Sequence, residues 1–315
     1  MKRILITGGA GFIGSHCVDL FHACGYEVGV FDIKSRAEVV NLHHILDDIT
    51  YIEGDVRDVR QLDSVMGMYD VVLHMAAIVS VQESIDNPLA SHETNVTGTL
   101  NVFDSASRHG VSRVVYASSA AVYGETEVVP TPEHAPLKPL SPYGLHKVIN
   151  EKYGELYGQQ FGLQNIGLRF FNVYGSRQDP SSPYSGVISI FAKYMQTGDQ
   201  PTIFGDGGAT RDFVHVSDVA AVCRYAIEAD TTETFVCNIG SGKATSIRTL
   251  VDTFNTVLAA EVKPQHAAER TGDIVHSCSV SEVAYVKFSF RTTVPLHKGL
   301  KEVLDASQQD TRCIT

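Results

Sequence analysis

Short apolar runs alternate with segments of helical character through the first half of the chain. Ile4 to Ile6, Glu27 to Phe31, Tyr51 to Asp55, Val71 to His74, Val114 to Ala117 and Ile166 to Phe170 read as strands. Strands this continuously apolar, separated by helices, predict a parallel sheet covered on both faces. Phe12 to Cys24 has helical character. Pro88 to His109 reads as one long helix, with Pro at its start and Gly110 just past its end.

After Asn172 the texture changes. Tyr174 to Pro183 is rich in Gly, Pro and Ser, and Thr202 to Thr210 is glycine-rich. Helices are expected at roughly Gly186–Thr197, Ser217–Ala229 and Ser246–Leu258, and Thr234 to Cys237 reads as a strand returning to the main sheet. The expected fold is α/β, a doubly wound parallel sheet with a smaller α/β lobe over the carboxyl ends of the strands, where ligands of open sheets bind. Residues 1–171, with a returning segment at about 213–239, make the larger unit, and 172–212 with 240–315 make the lobe.

Composition narrows the partners. A chain of 315 residues has ample length for a real core, and its net charge of −11 supplies no field for nucleic acid. A dianionic ligand must therefore be met by locally placed arginines. No apolar run approaches the roughly 20 residues needed to span a bilayer. A first strand beginning at Lys2 leaves no room for a signal peptide. Cysteines 17, 24, 223, 237, 278 and 313 are scattered without a CxxC pair, which points to reduced thiols and a cytoplasmic protein. His43-His44 with Asp47-Asp48 has metal-ligand residue types at a spacing that suits no tetrahedral site, so no metal is expected. His74 reads as a satisfied core residue.

The chemistry begins at Thr7-Gly8-Gly9-Ala10-Gly11-Phe12-Ile13-Gly14, between the first strand and first helix. A glycine turn there aims backbone N–H groups outward at a helix N-terminus, which favours a pyrophosphate. Gly8 suits the turn, Gly11 lets phosphate approach the backbone, and Gly14 lets the helix pack close on the strand. Asp32 ends the second strand about 20 residues past the turn, where its carboxylate can accept from a ribose diol. The larger unit is therefore expected to be a Rossmann-type dinucleotide-binding domain. Arg36 could welcome a 2′-phosphate, but Asp32 would repel it, which favours NAD.

Ser119 follows the fifth strand in Ser118-Ser119-Ala120-Ala121-Val122-Tyr123-Gly124, on the cofactor side. Tyr143 and Lys147 stand four apart in Ser141-Pro142-Tyr143-Gly144-Leu145-His146-Lys147 and share a helix face. An ammonium near a phenol favours phenolate and is expected to lower a pKa normally about 10. The Ser119 hydroxyl can relay or hold a substrate proton.

These motifs together resemble the extended short-chain dehydrogenase/reductase superfamily, and within it the nucleotide-sugar epimerases of the UDP-glucose and UDP-N-acetylglucosamine 4-epimerase type. The likeness runs from Ile4 to about Ser279 and includes Arg169 to Gly175, Gly207 to Val216 and Arg270-Thr271-Gly272-Asp273. It implies that Asn172, Arg211 and Arg270 meet the substrate diphosphate and that Asp273 holds the uridine ribose. It also implies that Asp55 and Val56 bracket the adenine, with Gly8, Gly11, Phe12, Ile13, Gly14, Asp32, Ala76 and Ala77 as the other cofactor positions beside Tyr143 and Lys147. Two arginines offering forked donors to phosphate make physical sense in an acidic protein.

The implied reaction is 4-epimerisation with bound NAD. Tyr143 takes the proton of the sugar 4-hydroxyl, Ser119 holds the 4-oxygen, and Lys147 tunes Tyr143 and binds the nicotinamide ribose. The 4-keto sugar then turns over before it is reduced on its other face. A 4,6-dehydratase would carry an acid/base pair where this chain has Ala120 and Ala121. A glucuronate 4-epimerase, a net reductase or dehydrogenase, and a dinucleotide-sensing module remain as alternatives. Ser277 occupies the position that lines the sugar C2 group in this family, and a small residue there removes a steric veto on N-acetyl sugars. The loop Gln178 to Tyr184 also resembles the N-acetyl-handling branch. A homodimer through the Pro88–His109 and Tyr143 helices is a further implication, with Leu89, Thr97, Leu100 and Phe103 on the first of these. The role of Ala284 to Phe290 is left open.

Overall fold

Seven parallel strands run in the order β10-β6-β5-β4-β1-β2-β3 in the computed structural model, which describes residues 2–179, 186–269 and 274–312. They are β1 (Arg3–Thr7), β2 (Glu27–Asp32), β3 (Thr50–Glu53), β4 (Val71–His74), β5 (Arg113–Ser119), β6 (Gln164–Phe170) and β10 (Phe235–Ile239). Alternate residues of each strand feed opposite faces. Ile4 and Ile6 enter the core under helices Phe12–Ala23 and Val216–Glu228, together with Val30, Leu73 and Val115. Leu5 enters the other, with Val72, Val114 and Tyr116, under Val59–Met66, Gly98–Arg108 and Pro142–Phe161. Both faces are covered, as the continuous apolar runs require.

Strand order reverses between β1 and β4, and the crevice at that switch point is where an open sheet takes its ligand. Gly8 follows β1 there with a left-handed φ of 69°. A Cβ on it would stand 2.5 Å from the Ala76 nitrogen, just past β4. The crevice is therefore narrow because Gly8 has no side chain.

The segment read as one long helix is three pieces: Pro88–His92, a wide turn of π type at Glu93–Thr97, and Gly98–Arg108. Side chains explain the interruption. The Asn95 carbonyl accepts from the Thr99 hydroxyl (2.7 Å) and from Asn150 Nδ2 (2.9 Å), while its own amide clasps the Ile78 N–H and C=O at 2.8 Å each. Side-chain bonding to a helical carbonyl competes with the regular ladder. Phe103 is fully buried against Tyr116 and Tyr157, so it belongs to the core of the protomer and is not available to an outer face.

The small lobe is built on the sheet β11-β9-β7, from β7 (Asn172–Tyr174), β9 (Thr210–His215) and β11 (Ala244–Ser246), with a two-stranded parallel pair of β8 (Thr202–Phe204) and β12 (Gln265–Ala267). Ile188, Phe191, Leu250, Phe254 and Leu300 make its core. A fully buried carboxylate, Asp212, ties β9 to the chain just past β10 and to Ser279. It accepts from Ser241 N and Oγ (2.7 and 2.6 Å), Gly242 N (3.1 Å) and Ser279 N and Oγ (2.9 and 2.6 Å). The Glu282–Phe288 helix packs on the larger core through Ala284, and Phe290 follows it there. We therefore propose the division of 1–171 with 213–239 against 172–212 with 240–315, with β9 shared across the boundary, Phe213 in the lobe core and Val214 in the larger one, and with residues 282–290 moved to the larger unit. Among the described residues no helix is long and apolar enough to cross a membrane.

Candidate active site

At the glycine turn, Gly8 N donates to the Phe31 carbonyl at 2.9 Å and Gly11 N to Gly8 O at 3.1 Å. A Cβ on Gly14 would collide with the Gly8 carbonyl oxygen, so this glycine seats the helix on the turn itself rather than on the strand. Gly11 differs: the one protein atom within reach of a Cβ there is Gly8 O, at 3.2 Å. The outer side of Gly11 is open to a ligand. The helix it caps has no side-chain cap and no acid in its first turn, which leaves the N–H groups around Phe12, Ile13 and Gly14 for an anion.

Asp32 is buried at the end of β2, with Oδ2 accepting from Ala10 N at 2.9 Å and Oδ1 from Lys34 N at 3.1 Å. The turn thus orients the carboxylate, and each oxygen keeps a second lone pair for a diol. Asp55 follows β3 and is gripped by Arg57 at 2.5 Å, which holds its carboxyl below the usual range. Val56 is buried against Gly98. Ala76 and Ala77 are half-buried past β4, and the backbone of Ala76 lies against Gly8. Arg36 turns away to Asp47, 2.8 Å distant, and His44 pairs with Asp19 at 2.8 Å. An uncapped helix start, an open Gly11 and an acid at the end of β2 fit a dinucleotide without a 2′-phosphate.

His74 is a core residue with a defined tautomer. The Thr99 hydroxyl proton goes to the Asn95 carbonyl, so His74 Nε2–H donates to Thr99 Oγ1 (2.9 Å) and Nδ1 accepts from the Thr7 hydroxyl (2.6 Å). Burial drops its pKa to about 3, which keeps it neutral.

Ser141 caps the Pro142–Phe161 helix, its Oγ accepting from Gly144 N at 3.1 Å, and Pro142 sets the first turn. The helix then presses against Ala120–Val122, where a Cβ on Gly144 would lie 2.6 Å from the Ala121 carbonyl. That approach brings Tyr143 to Ser119. Burial raises the Tyr143 pKa, and the hydrogen bond with Ser119 only partly offsets it. The expected lowering is thus not met by the protein alone, because desolvation of the phenolate outweighs the local attractions. Lys147 Nζ donates to the Ala117 carbonyl at 2.8 Å and lies 5.6 Å from the Tyr143 ring centre. Burial lowers its pKa to about 8, against the pull of Glu151.

Ser119 pairs in register with Phe170, so Asn172 projects two residues beyond that pair and starts β7 beside β9. Arg211, on β9, donates to the Thr210 carbonyl at 2.9 Å. Ser277 N donates to the same carbonyl at 3.1 Å, so Arg211 and Ser277 share one wall. Arg270 and Asp273, and the loop from Pro180 to Tyr184, lie outside the described residues.

Residues 4–240 match the model of the NAD dependent epimerase/dehydratase family. The chain belongs to that family. It is 35% identical over 309 residues to a UDP-glucose 4-epimerase of Mycolicibacterium smegmatis, covering 96% of this chain and 97% of the relative. A solved UDP-N-acetylglucosamine 4-epimerase from Methanobrevibacter ruminantium, in complex with UDP-N-acetylmuramic acid, superposes with a TM-score of 0.93 at 33% identity, over 98% of this chain and 99% of that one. A UDP-glucose 4-epimerase of Thermus thermophilus in complex with NAD gives 0.87 at 32% identity, over 98% and 99%. NAD dependence belongs to the family, and the turn and Asp32 of this epimerase-family chain fit that cofactor.

Three residues of weight here were not singled out from the sequence: Gly144, Asp212 and Glu151. The signal for Gly144 was its place one residue after Tyr143 in a helix, where glycine is unfavourable without a packing reason. A Gly144→Ala variant is expected to lose about 100-fold in turnover, the scale of a 1 Å misplacement of reacting groups. NAD affinity, measured by fluorescence titration, should stay within about threefold, because the turn is untouched. Unchanged turnover would mean that the close approach does not set the Tyr143 position.

Proposed function

We propose that this chain is an NAD-dependent UDP-hexose 4-epimerase, acting on UDP-glucose and UDP-galactose and on their N-acetylamino counterparts. The observation that carries the reading is Ser119, Tyr143 and Lys147 gathered at the end of β5, the tyrosine and lysine buried, with Ala120 and Ala121 following the serine. Those alanines cannot move a proton, which leaves oxidation and re-reduction at one carbon as the chemistry available and disfavours dehydration.

NAD, when bound, supplies the hydride acceptor that later gives the hydride back. The cofactor set in this proposal is Gly8, Gly11, Phe12, Ile13 and Gly14 for the pyrophosphate, Asp32 for the adenosine ribose, Asp55 and Val56 for the adenine, Ala76 and Ala77 along the crevice, and Lys147 for the nicotinamide ribose. Tyr143 takes the proton of the sugar 4-hydroxyl and returns it after the sugar has turned over. Ser119 hydrogen-bonds the 4-oxygen throughout. Lys147, still largely an ammonium at neutral pH with a pKa of about 8, favours the Tyr143 phenolate that burial opposes. Asn172, Arg211 and Arg270 take the diphosphate, Asp273 the uridine ribose, and Ser277 leaves room at C2. Support for the N-acetyl range comes from Ser277 and from the named substrate of the Methanobrevibacter relative. Buried free thiols at Cys17, Cys223, Cys237 and Cys278 suit a cytoplasmic enzyme.

The same reading includes a homodimer. Val81, Ile85 and Leu89 are 44%, 51% and 80% exposed on short helices packed against the Tyr143 helix, whose Leu145 is 49% exposed. Apolar side chains gathered like this suit an interface.

Purified protein given UDP-glucose or UDP-N-acetylglucosamine, with no NAD added, should form the galacto epimer by proton NMR. Failure with both, combined with consumption of added NAD, would contradict the reading. Ser277→Tyr should cut turnover of the N-acetyl substrate at least about 100-fold while UDP-glucose changes by less than about threefold, since a bulky side chain acts by steric exclusion. Equal effects on both sugars would remove Ser277 from specificity. An Ile85→Glu/Leu89→Glu variant is expected to elute as a monomer in light-scattering chromatography, and a persistent dimer would place the interface elsewhere.

A further inference from the structure

Three consecutive residues of β5 grip three positions of the Pro142–Phe161 helix, each one turn apart. Ser119 meets Tyr143, the Ala117 carbonyl accepts from Lys147 Nζ at 2.8 Å, and Ser118 Oγ donates to Glu151 Oε1 at 2.6 Å. Residues four apart share a helix face, so Tyr143, Lys147 and Glu151 form one row along the strand end.

Glu151 is bound on its other side by Arg169 of β6 in a two-pronged pair, Nε at 2.8 Å and Nη2 at 2.7 Å, with both side chains at most 5% exposed. Arg169 is fixed in turn by the Tyr123 hydroxyl at 2.6 Å and the Glu133 carbonyl at 2.8 Å. A buried ion pair is weak evidence for stability, because apolar residues of the same volume often serve as well. This one stands one turn from a lysine whose charge the reaction needs.

We propose that Glu151, held by Arg169, is a positioning residue that keeps Lys147 charged and in register against β5, so that Tyr143 can act as the base. The proposal rests on the roles given above to Tyr143 and Lys147. Around Lys147 its own helix presents Tyr143, His146 and Glu151, β5 presents the Ala117 carbonyl, and β4 presents His74. His74 and His146 are neutral, with pKa values lowered by burial to about 3 and about 4. Glu151 is thus the carboxylate of this set, and it opposes the burial that lowers Lys147. Removing it pushes the Lys147 pKa further down, and the ammonium is then lost as pH rises through neutrality. Of the pair, Glu151 acts on Lys147 directly, so removing both charges still lowers the lysine. Removing Glu151 alone lowers it more, because an unpaired guanidinium remains.

The test follows lysine Cε resonances of the ¹³C-labelled holoenzyme against pH, with Lys147 assigned by its absence in Lys147→Met. The wild-type midpoint should fall well below the ordinary 10.4. In Glu151→Gln/Arg169→Met it should fall by a further half unit or more, about a threefold loss of proton affinity, and further still in Glu151→Gln. The alkaline limb of the kcat profile should move with it. If Glu151→Gln does not fold, the double variant, which strands neither charge, carries the test. A midpoint unmoved in the double variant overturns the proposal. The resonance is read without substrate, so absent epimerisation with an intact Lys147 shift would refute the epimerase reading and leave this one standing.

Discussion

The site depends on how closely one helix can approach the end of one strand. Pro142–Phe161 carries glycines at 144, 154 and 158, where a Cβ would press on the Ala121 carbonyl, on Asn165 and Tyr116, and on Thr234. Each glycine inside a helix costs about 1 kcal/mol relative to alanine. The helix gives up that propensity so that its buried face can lie directly on β5 and β6. Ser141 and Pro142 restore part of the loss at its start. Tyr143, Lys147 and Glu151 then stand against successive residues of the strand end.

Dryness is the second consequence. Burial moves Tyr143 up and Lys147 down, so both ionisations that the proposed chemistry uses run against solvation. Local partners supply the correction: a hydroxyl for the phenol, a carbonyl and a carboxylate for the ammonium. A site of this kind holds its charges only through fixed neighbours, which is what makes geometry at Ala117, Ser118 and Ser119 decisive.

Much of this was legible in the sequence. Apolar runs located all seven strands of the main sheet, and the glycine turn, Asp32 and the Tyr143–Lys147 spacing marked the crevice. The misses share a cause, which is that they depend on residues distant in the chain. The break at Glu93–Thr97 needs Asn150 and Ile78; the burial of Phe103 needs Tyr116 and Tyr157; the buried cluster at Asp212 needs Ser241 and Ser279. Residues 282–290 showed no family motif, yet Ala284 and Phe290 complete the larger core. At Tyr143 the spacing reveals the lysine but not the burial that raises the pKa of the phenol. The Gly8–Ala76 contact likewise crosses the switch point and has no local signature.

The most direct test of the central claim, reversible oxidation at one carbon within a closed site, is to run the reaction in D₂O and examine C4 of the sugar. The account predicts epimer formed with protium retained at C4, because the hydrogen removed is the one returned and Tyr143 handles only the oxygen-bound proton. Deuterium at C4 would mean that the carbon exchanges with solvent, and a Tyr143–Ser119–Lys147 site working on the 4-hydroxyl would then be the wrong description.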